Sequence, residues 1–246
     1  MNVMAFGPGE PVLIVHGGFS GNYELWLQPF DILSRRWRCV TYDHRGAGEN
    51  RAEGRITRQD MVADLFGIMD VVGVERAVLA GESMGCGIVL DAALQQPQRI
   101  AGLVLVDGSP AYSQQRSGAL AAGVRAQFLP TLQAFIERGV PEDGMEHVRR
   151  WGMHILTRST PVESAELLEC MWGLDLTERL ADVKAPTLII HGERDQIIPM
   201  QVAELMSSRI PGSRLVTAPG IGHVPTLTAP EMVANEIARF LETVVL

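Results

Sequence analysis

Ala77-Val78-Leu79-Ala80-Gly81-Glu82-Ser83-Met84-Gly85-Cys86-Gly87 is the stretch that decides how this chain folds. An apolar run of strand length enters a Gly-x-Ser-x-Gly turn, and helical spacing begins at Ser83. A fully apolar strand followed directly by a helix belongs to a βαβ unit around a buried parallel sheet. The turn forces its serine into a strained backbone conformation, for which Gly81, Gly85 and Gly87 leave room. The serine oxygen then stands clear of the sheet, next to the free N–H groups and positive end of the following helix. Packing gives no reason for a serine at that apex, so Ser83 is the candidate nucleophile.

Working outward, the same alternation recurs. Strands are predicted at Val12–Val15, Arg38–Tyr42, Leu103–Val106, Leu188–Ile190 and Arg214–Thr217, with one further short strand near Asn2–Phe6. Amphipathic helices are predicted from Met61 to Val72 and from Glu231 to Val244. The fold class is therefore α/β, a mostly parallel twisted sheet flanked by helices. From about Pro110 to Leu180 no strand-like run occurs, only helical patterns rich in Met, Arg and Trp. Crossovers are usually short, so this stretch is an insertion with structure of its own. We expect a core of residues 1–109 and 181–246, with a helical cap at 110–180.

In open parallel sheets ligands sit beyond the C-terminal ends of the strands. The residues just past each strand end are therefore the ones to search for a site. A serine hydroxyl needs a base, and His223 in Gly220-Ile221-Gly222-His223-Val224-Pro225 lies just past the last strand. The base needs a carboxylate to fix its tautomer. Asp195 lies beyond the strand ending at Ile190, while Asp107 also closes a strand, and position alone leaves both in play. An oxyanion needs backbone donors. Met84, after the serine, supplies one, and the turn His16-Gly17-Gly18-Phe19 supplies another from Gly18 or Phe19.

These segments together resemble the α/β-hydrolase superfamily. His16-Gly-Gly resembles its oxyanion turn, Asp43-His-Arg-Gly-Ala-Gly its D-x-R-G-x-G loop, and Gly81-Glu-Ser-Met-Gly its nucleophile elbow. Gly192-Glu-Arg-Asp195 with Pro199 resembles its acid loop, and Gly222-His223 its base loop. The likeness spans residues 12–240. It implies Asp195 as the acid and a structural role for Asp43 and Arg45. Ser83 argues against haloalkane dehalogenases and epoxide hydrolases, which use Asp there, and the compact chain with a helical insert resembles the esterase, enol-lactonase and C–C hydrolase group. Relatives usually carry a strand hairpin before the His-Gly strand, and the ten or so residues present here imply a missing or reduced edge strand.

The implied activity is cleavage of a small ester-like substrate through an acyl-enzyme on Ser83. The alternatives are a C–C hydrolase, lyase, perhydrolase or thioesterase on the same triad, or a ligand receptor without turnover. No metal or organic cofactor is called for. Tyr23 beside the oxyanion turn, and Trp151, His154 and Trp172 in the insertion, are candidate substrate-binding residues, although Met and Trp at helical spacing are also ordinary core.

Composition sets the outer bounds. The chain has 246 residues, 46% of them hydrophobic and 20% charged, enough for a sizeable core. A net charge of −8 argues against nucleic-acid partners, which want a clustered basic face. No apolar run reaches membrane-spanning length and no signal-peptide pattern opens the chain. Cys39, Cys86 and Cys170 lack metal-ligand spacing. The expectation is a cytoplasmic protein, monomeric or homo-oligomeric.

Overall fold

The structure is a computed structural model, and it describes residues 2–244. In chain order its elements are β1 (Val3–Phe6), β2 (Leu13–His16), α1 (Leu27–Leu33), β3 (Cys39–Tyr42), α2 (Arg58–Val72), β4 (Ala77–Glu82), α3 (Met84–Gln95) and β5 (Ile100–Val106). There follow β6 (Ala111–Tyr112), α4 (Gln114–Ala126), α5 (Phe128–Gly139), α6 (Glu146–Leu156), α7 (Pro161–Glu169) and β7 (Leu174–Asp175). The chain then returns through β8 (Thr187–Gly192), α8 (Met200–Arg209), β9 (Arg214–Ala218), α9 (Pro225–Thr228) and α10 (Pro230–Leu241).

Seven strands form one sheet in the order β1-β3-β2-β4-β5-β8-β9. All neighbouring pairs are parallel except β1 with β3. Every residue of β2, β3, β4, β5 and β8 is buried, as a parallel sheet covered on both faces requires. Helix α2 shows how locally the pattern is set. Thr57 caps its N-terminus by accepting from the Asp60 amide, and Gly73, at φ +75°, ends it in the left-handed conformation. Between these signals Met61, Val62, Leu65, Phe66, Ile68 and Met69 turn one face to the sheet.

The short strand expected near the N-terminus is β1, which stands alone as the antiparallel edge. Helix α10 stops at Leu241, short of the predicted Val244, which is buried without being helical. Among the described residues, the stretch between β5 and β8 holds α4–α7 and also something the sequence did not show. Strands β6 and β7, two residues each, pair antiparallel across the foot of the insertion. Two residues are too few to display an alternation, so no period could have revealed them. No described helix is long and apolar enough to cross a membrane.

Candidate active site

Strand β4 delivers Ser83 at φ +52° and ψ −116°, a left-handed conformation that costs a non-glycine residue energy and is held by its surroundings. Tyr112 Oη donates to the Ser83 carbonyl at 2.8 Å, and the Cys86 amide donates to the same oxygen at 3.1 Å. Gly85 permits the oxyanion turn to lie against the elbow, because a Cβ there would stand 2.6 Å from the Gly17 carbonyl oxygen. Gly87 does something else than the sequence suggested. A Cβ on it would meet Tyr112 and the Met171 methyl at 2.7 Å, so it admits the insertion rather than relaxing the turn.

His223 Nε2 lies 2.8 Å from Ser83 Oγ, and His223 Nδ1 lies 2.7 Å from Asp195 Oδ2. With Nδ1–H donated to the carboxylate, Nε2 is the bare nitrogen, and Oγ–H donates to it. His223 is 2% exposed, so this hydrogen-bonded chain is shielded from bulk water. The other oxygen of Asp195 accepts from the amides of Ile197 at 2.7 Å and Ile198 at 3.0 Å. Burial alone raises the Asp195 carboxyl, but electrostatic attraction to the His223 ring, the His223 hydrogen bond and these amides outweigh it and hold it below the usual range.

The rival carboxylate takes a different state. Asp107 Oδ1 accepts from the Gly192 amide at 2.7 Å, and its Oδ2 has no partner among the described residues. Burial, then the adjacent Asp195 charge, push Asp107 well above the carboxylate range, which favours its protonated form. Asp195 alone hydrogen-bonds the imidazole. The two acids that position could not separate are thus distinguished by contact and by charge.

The base loop is gripped from the insertion. The His223 amide donates to the Gly139 carbonyl at 2.7 Å, and the Gly222 amide donates to buried Glu142 Oε1 at 2.7 Å. Nothing in the local sequence around Glu142 advertised that contact, which joins residues 80 positions apart.

Gly18 is packed so closely on the elbow that a Cβ would lie 3.2 Å from Ser83 Cβ. Among the described residues the amides of Gly18, Phe19 and Met84 have no protein acceptor. Beneath the turn His16 and His44 stack with centroids 4.8 Å apart, and His44 Nε2 lies 3.1 Å from the Gly18 carbonyl. Burial, then the neighbouring His44, take His16 down to about 3, so it is neutral at any ordinary pH. Asp43 and Arg45 are structural as expected: Asp43 accepts from the Tyr23 and Glu49 amides, and Arg45 forms a two-pronged pair with Asp64 at 2.7 and 2.8 Å.

Ser83 opens into two cavities. One of about 490 Å³ is bordered by Phe19, Met84, Phe135, Met171 and Ile198, under helices α4 and α5. A smaller apolar one of about 60 Å³ lies on the side of Leu25, Ile155 and Leu227 and also touches His223. The edge-to-face pair Phe19–Phe135, 5.5 Å between centroids, borders both. Tyr23, Trp151, His154 and Trp172 border neither. Trp151 Nε1 donates to Glu24 at 2.9 Å, exposed His154 lies 3.8 Å from the same carboxylate, Tyr23 sits under Arg158, and Trp172 Nε1 donates to Ser117 at 2.7 Å. The lining residues Phe135 and Ile198 were not singled out by sequence reasoning. Ile198 lies three residues beyond Asp195, and that adjacency was the available signal.

Comparison with known proteins places this geometry. A Klebsiella pneumoniae subsp. pneumoniae protein named as a carbamate hydrolase, RutD, is 29% identical over 240 residues, covering 90% of this chain and 87% of that protein. A thermophilic esterase from Thermogutta terrifontis superimposes with a TM-score of 0.90 at 28% identity, over 98% of this chain and 92% of that one. The enol-lactonase from Burkholderia xenovorans LB400 gives 0.91 over 98% and 95%, and at 22% identity that likeness is one of fold alone. The sequence pattern of the alpha/beta hydrolase fold matches residues 10–230. This chain belongs to the α/β hydrolase family and is an enzyme of that family.

Proposed function

We propose that the protein is a serine hydrolase that cleaves a carboxylic ester-like bond of a small substrate through an acyl-enzyme on Ser83. The observation that carries this reading is the continuous chain Ser83 Oγ–His223 Nε2, His223 Nδ1–Asp195 Oδ2, with contacts of 2.8 and 2.7 Å. Oγ attacks the carbonyl carbon while its proton passes to Nε2. Asp195 stabilises the imidazolium so formed and keeps the ring in register. The oxyanion takes hydrogen bonds from the Met84 amide and from Gly18 or Phe19, each donor worth roughly 3 kcal/mol by typical mutational losses. The C–O bond then breaks, Nε2 returns the proton to the leaving alkoxide, and the alcohol departs. Water enters, gives a proton to Nε2 and attacks the acyl carbon. Collapse of that second tetrahedral species releases the acid and returns the proton to Oγ.

The two cavities give the halves of the ester separate compartments on either side of Ser83, and residues 110–180 act as the cap that roofs the larger one. Ser83→Ala tests the reading. Hydrolysis of p-nitrophenyl butyrate should fall by several orders of magnitude with circular dichroism and thermal midpoint unchanged. Retained turnover removes Ser83 from the mechanism.

A further inference from the structure

The larger cavity is not electrically neutral. Of the residues bordering it, Arg116 on α4 and Arg138 on α5 carry formal charge, and no Asp or Glu borders it. Acids outnumber bases 29 to 21 in the whole chain, so a cavity lined by cations and no carboxylate runs against the composition. Several arginines elsewhere are matched, Arg45 with Asp64, Arg51 with Glu163, Arg58 with Asp91, Arg125 with Glu169 and Arg158 with Glu24, whereas Arg38, Arg55, Arg76, Arg150 and Arg194 border neither cavity and have no acid within ion-pair distance among the described residues. Among the described residues neither Arg116 nor Arg138 lies within ion-pair distance of an acid. Arg138 is steadied instead by one Nη2 bond of 2.9 Å to the Gln196 carbonyl, in the same loop that presents Asp195. Both arginines are exposed at the cavity's edge, and among the described residues the remaining donors of Arg138 and all those of Arg116 have no protein acceptor.

Apolar side chains, small hydroxyls, Tyr112 and Gln127 make up the rest of the wall. Ser109, Ser117 and Thr131 border the cavity with the two arginines, and Phe19, Met84 and Met171 line it together with Ser83. A ligand that satisfies this arrangement has an uncharged carbonyl and a short apolar spacer near Ser83, and an anion farther out. Guanidinium groups match the planar fork of a carboxylate with paired donors.

We propose that the larger cavity takes the acyl part of a substrate bearing a second, free carboxylate, held by Arg116 and Arg138, so that the enzyme acts on half-esters or lactones derived from dicarboxylic acids. This rests on Ser83 being the nucleophile. The cavity of about 490 Å³ accommodates a chain of this kind, and the compartment of about 60 Å³ suits a short leaving alcohol. Binding energy spent on the remote carboxylate fixes the reacting carbonyl against Oγ, which is how distant contacts serve catalysis.

The test compares monoethyl adipate with diethyl adipate, probes that differ in one ionised end. The purified enzyme should show kcat/KM at least tenfold higher for the half-ester. In the Arg116→Gln/Arg138→Gln double variant that ratio should collapse toward one. Reading a ratio within each variant cancels any general loss of activity. Equal kcat/KM for the two esters in the unmodified enzyme, or a preference that survives in the double variant, overturns the proposal. If p-nitrophenyl butyrate turnover and fluorophosphonate labelling of Ser83 persist while the preference is missing, only the carboxylate inference falls. If turnover and labelling both fail, the Ser83 reading falls. The carboxylate site is then decided separately by titrating adipate itself, whose dissociation constant should rise at least tenfold in the double variant.

Discussion

Replacing Glu82 by Gln should remove one source of the stability that the unmodified protein loses as pH rises from 4.5 toward 8. Glu82 closes β4, one residue before Ser83, and is 1% exposed. One carboxyl oxygen accepts from Thr226 Oγ1 at 2.9 Å, and the other has no partner among the described residues. Burial pushes its carboxyl from 4.5 up to about 8, against a smaller opposing effect of the Thr226 hydrogen bond. The folded state therefore keeps this proton between pH 4.5 and 8, where the unfolded chain has released it. The proton contributes its full stability below pH 4.5, and that contribution is lost as pH rises toward 8. At about 1.4 kcal/mol per pH unit, the loss reaches about 3 kcal/mol by pH 7. It levels off above pH 8, where both states have released the proton.

Glutamine keeps the shape of the protonated acid and an acceptor for Thr226 but cannot titrate. Its own burial cost is the same at every pH, so the difference between the two proteins isolates the Glu82 proton. For a chain of this size, 3 kcal/mol corresponds to roughly 6–12 °C in thermal midpoint. Urea or thermal unfolding followed by circular dichroism, run from pH 4.5 to 8, reads the effect directly. The stability of Glu82→Gln minus that of the unmodified protein should climb with pH. A difference that stays flat between pH 5 and 7.5 refutes the assignment of a buried proton to Glu82.

The two aspartates near the base should behave unequally. Asp195→Asn, which upsets the tautomer of His223, should lower kcat on p-nitrophenyl butyrate by about 10³–10⁴-fold. Asp107→Asn, a neutral replacement for an acid whose protonated form burial favours, should cost less than about tenfold if Asp107 has no part in proton transfer. Comparable losses in the two variants would reverse the ranking. Glu142→Ala, which orphans the Gly222 amide, should lower kcat by about 10- to 150-fold, equivalent to the 1.5–3 kcal/mol of a hydrogen bond to a charged group. KM should scarcely move, and Glu142→Gln, which retains an oxygen acceptor, should recover most of the loss. A change confined to stability would show that Glu142 does not position His223.

Much of the sheet was legible because a buried parallel strand writes itself as an unbroken apolar run. Leu13-Ile14-Val15 and Leu103-Val104-Leu105-Val106 are buried throughout and stand out by eye. The chemistry at the strand ends was legible for a related reason, since the sheet gathers its C-terminal loops to one edge. Ser83, Asp195 and His223 could be placed together without knowing any distance. What stayed hidden depends on contacts between distant segments. The clamp between Glu142 and Gly222, the divider made by Phe19 and Phe135, and the N–H of Trp151 committed to Glu24 all join parts of the chain that no local period relates. Strands β6 and β7 escaped for want of length. Asp107 could be recognised as a rival to Asp195 but not dismissed, because its proton is a property of its surroundings.

The hold that residues 139–142 keep on the base loop bears on how this scaffold could diversify. Gly139 and Glu142 anchor the amides of His223 and Gly222, so on the proposed mechanism the turn between α5 and α6 serves catalysis although it lies in the helical stretch between β5 and β8. A graft that exchanged the whole insertion for that of a relative would exchange the seat of the base as well. Selectivity is free to drift along α4 and the Phe135 face of α5, whereas residues 139–142 must be inherited with the triad as a single unit.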